Sequence, residues 1–308
     1  MSEPGLGIVV VAYNSAAEIP GLIGSVSQFC PTAVVVVVDN SRDAATAAAC
    51  AGHGVDVDYI DPGSNLGYAA GVDLGLRRLS TELVLVLNPD MTLMRDPCEI
   101  APDEDTIVTG VLQMSGDSWS PDQPPPNVHP LPTPGREVWR SVVSYRAYRW
   151  RRPLTAATDV PQADGAWLLA RRTTWNRLGG LDRRFELYYE DVDLCRRVAV
   201  SGRLLCVPVL VGAHRGGSSA GSARALAYAL LGVSRVRYYH LAGVGRFPRA
   251  LGIGTSVVEF LLRSVTRRPE GDAARWRTLR LQLTEARRPG SVWLLGGPRS
   301  WDAPSPML

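Results

Sequence analysis

Two uninterrupted β-branched runs constrain this chain more than any other feature: GIVVVA at residues 7–12 and AVVVVVD at residues 33–39. A strand with one face in water alternates apolar and polar residues. These runs do not alternate, so both of their faces must be covered, which is the situation of a strand inside a parallel sheet flanked by helices. Between them, residues 15–29 place Ile19, Leu22, Ile23 and Val26 near helical spacing. The pattern then predicts helix at 44–52, strand at 55–60, helix at 68–79 and strand at 83–87. That β-α-β alternation describes an α/β Rossmann-like layer over roughly the first ninety residues.

The remainder is less regular. PDQPPPNVHPLPTPG at residues 121–135 holds seven prolines in fifteen positions, which rules out helix and central strand. The excursion at 117–135 therefore reads as a surface loop, or as an edge lying over a site. Order resumes at GAWLLARR (165–172), a strand-like run, and LGGL (178–181) marks a turn. A helix is expected over 192–200, ended by Gly202 as a C′ glycine, with a strand over 203–211 running on to Ala213 and His214. From residue 223 the chain reads as helical, basic and aromatic. The expected division is thus a domain at 1–222, with halves at about 1–100 and 101–222, followed by a helical extension at 223–308.

All 33 basic residues are arginine, and the formal charge of the 308-residue chain is only +3, too small an excess to argue for nucleic acid. Five scattered cysteines without a CxxC pair suit neither a disulfide framework nor a zinc site and fit a reducing cytoplasm. No stretch reaches about 18 uncharged apolar residues, so no membrane-spanning helix is expected.

Ligands of such sheets bind outside the carboxyl ends of the strands. In order, those ends supply AYNS (12–15), DNS (39–41), NLGYAAG (65–71) and NPD (88–90). A dinucleotide oxidoreductase needs a glycine-rich turn after the first strand, where this chain has YNSAAE, and a P-loop needs a lysine. Taken singly, Asp39 and Asp90 read as turn or capping residues, and His214 as a surface or core histidine. The stretch LYYEDVDLCRR (187–197) is harder to explain away. Acids in a first helical turn are favoured by about 0.3–1 kcal/mol each, which accounts for one or two carboxylates. Three so close (Glu190, Asp191, Asp193) oppose one another unless a cation or a proton intervenes.

The ordered series VVVAYNS, VVVVDNS, NLGYAAG, LVLNPDM, DGAWLLARRTTWNRLGGLDRRFELYYEDVDLCRR and AHRGGSS, spanning about residues 7–220, resembles the family 2 glycosyltransferases, in particular their bacterial rhamnosyltransferase-like branch. The resemblance implies a GT-A fold that binds a nucleotide-diphosphate sugar, with dTDP-rhamnose favoured. Ala12, Tyr13, Asn14 and Asp39 would hold base and ribose, while Asn65, Gly67 and Asn88 would border the donor. Asp90 and His214 would hold Mg2+ or Mn2+. Asp191 would be the catalytic base, with Glu190 beside it. Two positions depart from the family pattern: Asn88 in place of an aspartate, and Val72-Asp73 where two asparagines are frequent.

The implied chemistry is inverting transfer of a sugar, in a single displacement, to a hydroxyl of a glycan, glycolipid or small-molecule aglycone. Two alternatives share the fold: a non-catalytic sugar-nucleotide-binding protein and a nucleotide-sugar hydrolase. Peripheral contact of the basic helical extension with the inner face of the cell membrane, and a homodimer, stay open.

Overall fold

In the computed structural model, which describes residues 5–52, 54–116, 118–133, 135–136, 150–215, 224–265 and 272–295, the valine runs lie side by side. β1 (Leu6–Ala12) pairs in parallel with β2 (Val34–Asp39), in a register that sets Val9 opposite Val36. Successive residues then go to opposite faces. Val9, Val11, Val36 and Val38 join one core, while Ile8, Val10, Val35 and Val37 join the other. Each face has its cover. α1 (Ile19–Phe29) packs Leu22, Ile23 and Val26 on the second core. After α2 (Ala44–Ala49) and β3 (Asp56–Ile60), α3 (Tyr68–Arg78) packs Ala69, Val72 and Leu76 on the first. Val72 is therefore core, and Asp73 pairs with Arg77 and Arg183, so this departure from the family pattern serves packing.

β4 (Leu83–Leu87) completes the parallel part beside β1. β5 (Met91–Leu93) and β6 (Thr106–Met114) follow, then β7 (Val128–His129), β8 (Thr158–Asp159), β9 (Gln162–Ala163) and β10 (Trp167–Arg171). α4 (Arg172–Leu178), α5 (Glu190–Ser201) and β11 (Arg203–His214) close the sheet. Its order is β3-β2-β1-β4-β10-β6-β11-β5, with β8 beside β11. β10 enters antiparallel between β4 and β6, so the sheet is mixed beyond the parallel half expected from the sequence.

Two expectations are corrected here. Gly202 is extended (φ −169°), not left-handed, and a Cβ on it would collide with the Asp105 carbonyl; close approach is what it provides. The proline-rich stretch is superficial only in its first part. Asn127, Val128 and His129 are buried, because β7 pairs with β9 and the Asn127 amide donates to the Gly110 carbonyl at 2.9 Å while its Oδ1 accepts from Leu112 N–H.

Three helices follow: α6 (Arg224–Leu241), α7 (Pro248–Val265) and α8 (Asp272–Arg287). They are tied by buried ion pairs, Arg235 with Glu259 (2.6 Å) and Arg237 with Glu285 (2.8 Å). The boundary expected near 222–223 lies outside the described residues.

Gly67 joins the two halves of the fold. It has φ +83°, the Tyr68 N–H donates to the Glu186 carbonyl at 2.7 Å, and a Cβ on Gly67 would stand 2.5 Å from that same oxygen. Gly67→Ala is expected to cost about 1–3 kcal/mol from backbone strain, lowering the thermal midpoint by about 2–4 °C per kcal/mol. An unchanged midpoint in calorimetry would refute that contact.

Candidate active site

At the carboxyl ends of β1, β2 and β4 a cavity of about 410 Å³ opens, lined among others by Tyr13, Asn65, Gly67, Asn88, Asp90, Glu190, Asp191 and His214. The structure thus brings together eight of the residues singled out in the sequence. Ala12, Asn14 and Asp39 are not in that lining. The Ala12 carbonyl is taken by Asn40 N–H at 2.9 Å, and Asn14 is exposed with φ +52°. Asp39 holds its own turn. Its fully buried carboxylate accepts from Ser41 N–H and hydroxyl, Asp43 N–H (3.0 Å) and the Tyr59 hydroxyl (2.9 Å).

The acidic stretch resolves into three different fates. α5 begins at Glu190, earlier than the pattern predicts, after two tyrosines in left-handed backbone, Tyr188 (φ +69°) and Tyr189 (φ +68°). Such conformations are strained for bulky residues and are held here by packing, with Tyr189 tilted against Tyr238 at 5.4 Å. Asp193 points away from the cavity and is neutralised by Arg196 (3.0 Å) and Arg197 (2.7 Å); Arg197 also binds the Leu178 and Gly180 carbonyls. Glu190 is buried, its Oε2 without a hydrogen-bond partner, and burial followed by the Asp191 charge holds its carboxyl well above the usual range. A proton and two guanidiniums therefore relieve the crowding that the sequence poses.

Asp191 is left facing the cavity. Its Oδ1 accepts from Val192 N–H at 2.8 Å and its Oδ2 from Gly165 N–H at 3.2 Å. Burial first, and the Asp164 charge second, push its pKa up to about 6 against those hydrogen bonds. That suits a group that must be ionised near neutrality and still take a proton.

Asp90 Oδ1 and His214 Nε2 lie 3.2 Å apart. Burial lowers the His214 pKa, but the hydrogen bond and charge of Asp90 outweigh it and raise the net value. Asn88 is engaged otherwise: its Oδ1 lies 3.0 Å from the Tyr68 hydroxyl, itself 3.1 Å from the Gly165 carbonyl.

Sequence reasoning missed several contributors. His129 of β7 is 2% exposed and pairs with Asp164 at 3.0 Å, and Asp164 lines the cavity next to Asp191. Asn40 clamps the NLG turn through Leu66 N–H and the Gly67 carbonyl. Glu186, also in the lining, accepts from Leu294 and Leu295 N–H groups and so fixes the chain's C-terminal segment to the cavity. Leu226 and Leu230 of α6, with Leu187 and Leu295, make one wall apolar.

The chain is similar to several known proteins. The low-salt glycan biosynthesis hexosyltransferase of Haloferax volcanii is 28% identical over 202 residues, 62% of this chain and 61% of the relative. The N-acetylglucosaminyl-diphospho-decaprenol L-rhamnosyltransferase of Mycobacterium tuberculosis is 25% identical over 225 residues, 65% of this chain and 72% of the relative. The chain thus spans under two thirds of the first of these relatives. A structure of GalNAc-T7 with UDP, GalNAc and Mn2+ superposes with a TM-score of 0.59 at 13% identity, over 94% of this chain and 56% of that one, a likeness of GT-A fold. Residues 7–139 match the family described as Glycosyl transferase family 2. Through that region the chain is similar to the family 2 glycosyltransferases, and its sheet, continued by β10 and β11, has the GT-A fold.

Proposed function

We propose that the protein transfers a sugar from a nucleotide-diphosphate donor to an acceptor hydroxyl by a single, inverting displacement. One observation carries the reading furthest. Among the described residues the cavity lining holds five acidic residues (Asp90, Asp164, Glu186, Glu190, Asp191), of which Glu190 keeps its proton, and no arginine. A diphosphate cannot settle there by charge unless a cation comes with it.

The residues present fit such an ion. Asp90 and His214 offer an oxygen and a nitrogen 3.2 Å apart on one wall, and the His214 Nδ1 is buried without a hydrogen-bond partner. No described cluster supplies three protein ligands, which suits Mg2+ or Mn2+, ions that take one or two protein groups and complete their shell with phosphate oxygens. When bound, such an ion would offset the negative charge of the departing diphosphate.

The chain's own groups do the rest. Tyr13, Asn65 and Gly67 border the donor. Asp191 Oδ takes the proton from the acceptor hydroxyl as that oxygen attacks the anomeric carbon. The apolar wall of Leu187, Leu226, Leu230 and Leu295 supports an acceptor with a hydrocarbon part, hence a glycolipid, over a free glycan. The mycobacterial relative's name supports rhamnose as the sugar, and dTDP-rhamnose is the donor to test first.

Calorimetry with a panel of nucleotide sugars, with Mn2+ and with chelator, tests the reading. Binding of one donor is expected with metal only, and Asp90→Ala should weaken it at least roughly tenfold, in line with loss of a metal ligand. Donor binding indifferent to both metal and Asp90 would overturn the metal assignment. Release of free sugar at the same rate with and without acceptor would make the protein a hydrolase instead.

A further inference from the structure

The outer surface of the C-terminal helices does not look like the outside of an ordinary packed subdomain. On α7 the solvent-exposed positions are Ala250, Gly254, Val257, Leu261 and Val265, besides Arg249 at its start. Their spacing of three and four keeps them on one side of the helix, so α7 turns a continuous apolar stripe outward. Leu261 is 56% exposed and Val265 82%. Amphipathic helices normally bury such a stripe; α7 instead turns the small and polar Gly252, Thr255, Ser256 and Glu259 inward.

The border of the stripe is aromatic and cationic. Phe260 of α7 packs tilted against the half-exposed Trp276 of α8, with ring centroids 4.4 Å apart. α8 runs antiparallel beside α7, as the contacts Glu259–Gln282 and Gly252–Ala286 show, and exposes Arg277, Arg280 and Arg287. At the other end of α7, Arg246 lies over the exposed Phe247 ring at 5.6 Å. Glu259 of α7 and Glu285 of α8 are buried in ion pairs with Arg235, Arg263 and Arg237. The surface is thus apolar in the middle and aromatic and arginine-rich at its edges.

We propose that this face of α7 and α8 docks on an anionic lipid bilayer, with Val257, Leu261, Val265 and Trp276 entering the interfacial layer and Arg277, Arg280 and Arg287 meeting lipid phosphates. An apolar helical face flanked by arginine and tryptophan is the physical requirement for lying in a membrane interface, and each cation near an anionic surface adds attraction. Charge favours an anionic surface over a second copy of the chain, because Arg277, Arg280 and Arg287 are exposed together while Glu259 and Glu285 are already held in ion pairs. The placement also suits the cavity, because α6 carries Leu226 and Leu230 on the cavity side and packs on α7 through Tyr228 and Arg263 (4.3 Å).

Flotation of the full chain with phosphatidylglycerol–phosphatidylcholine vesicles, against pure phosphatidylcholine, tests this with neither donor nor acceptor present. Its failure therefore leaves the transferase reading untouched, and failure of that reading leaves this result standing. Partition onto the anionic vesicles is expected to be at least about tenfold stronger. Leu261→Asp combined with Val265→Asp should abolish it at an unchanged melting midpoint, since both side chains are exposed. Arg277→Glu combined with Arg280→Glu, which keeps the stripe, should erase the preference for anionic lipid. Absence of flotation, or flotation unchanged in Leu261→Asp/Val265→Asp, overturns the proposal. A dimer in light scattering that this variant dissociates, without vesicle binding, would assign the stripe to a second copy.

Discussion

Asp191→Asn should cut turnover by about 10²–10⁴, the worth of a positioned base, while the affinity for the donor stays within a factor of about two. The substitution is nearly isosteric and keeps an oxygen for Val192 N–H, so a fall in donor binding would mean that Asp191 holds the substrate and some other group takes the proton. The pH dependence follows from the same environment. With its pKa pushed up to about 6, Asp191 is ionised above that value, so kcat/KM should fall as pH drops through about 6. Asp164→Asn removes a charge that raises this pKa and should move the acid limb to lower pH. A limb that does not move, or one near the unperturbed value of 3.8, would sink the assignment. Stability has the opposite sign. A carboxyl whose folded pKa exceeds its unfolded one favours the native state when protonated, an advantage lost as pH rises through about 6. Asp191→Asn should therefore melt higher than the parent at pH 8 and about equally at pH 3.5. Activity and stability trade against each other at this residue.

Arg237→Ala should be the most damaging change outside the cavity. The Arg237 side chain is 1% exposed and its partner Glu285 0%, and the guanidinium also donates to the Arg184 and Val292 carbonyls and lies over the Trp293 ring at 4.8 Å. Removing one member of a buried pair strands the other, at about 3–5 kcal/mol. Glu285 would keep only Gly290 and Val292 N–H groups as donors. Thermal unfolding should show the loss directly. Limited proteolysis should cut residues 288–295 earlier than in the parent, since Arg237 and Glu285 both hold that segment. Arg237→Lys should recover only part of the loss, because an ammonium cannot reproduce the three-way fork. A midpoint for Arg237→Ala within a degree of the parent would show that the pair is dispensable.

How much of this was legible in the sequence differs by the kind of signal. The strands of the parallel half were, because residues buried on both faces need no partner to reveal themselves: β1, β2 and β4 fall where the apolar runs do. The polar groups at their ends followed from topology, and so did the cavity's nearness to Tyr13, Asn65 and Asp90. The start of α5 did not. Residue type gives no warning that Tyr188 and Tyr189 take left-handed backbone, and that turn sends Asp191 inward and Asp193 to its arginines. His129 and Asp164 were also hidden, since they are far apart in sequence and meet only because two-residue strands β7 and β9 pair. Prolines obscured this further, as they signal the absence of regular structure but not the depth of the chain. The partners of Asp39 were hidden in part: its turn supplies three donors, but the fourth, the Tyr59 hydroxyl, comes from β3.

The bond from Glu186 to the backbone of Leu294 spans 108 positions. Because synthesis runs from the N-terminus, the sheet, α5 and the acidic residues of the cavity emerge from the ribosome well before the segment that completes the wall around them. Contacts so remote in sequence form late, after the closure entropy of the intervening loop is met. A nascent chain would thus pass through a stage in which its substrate cavity is open along the Leu295 side, and chaperones or ligands present at that stage would meet a surface that the finished molecule no longer shows.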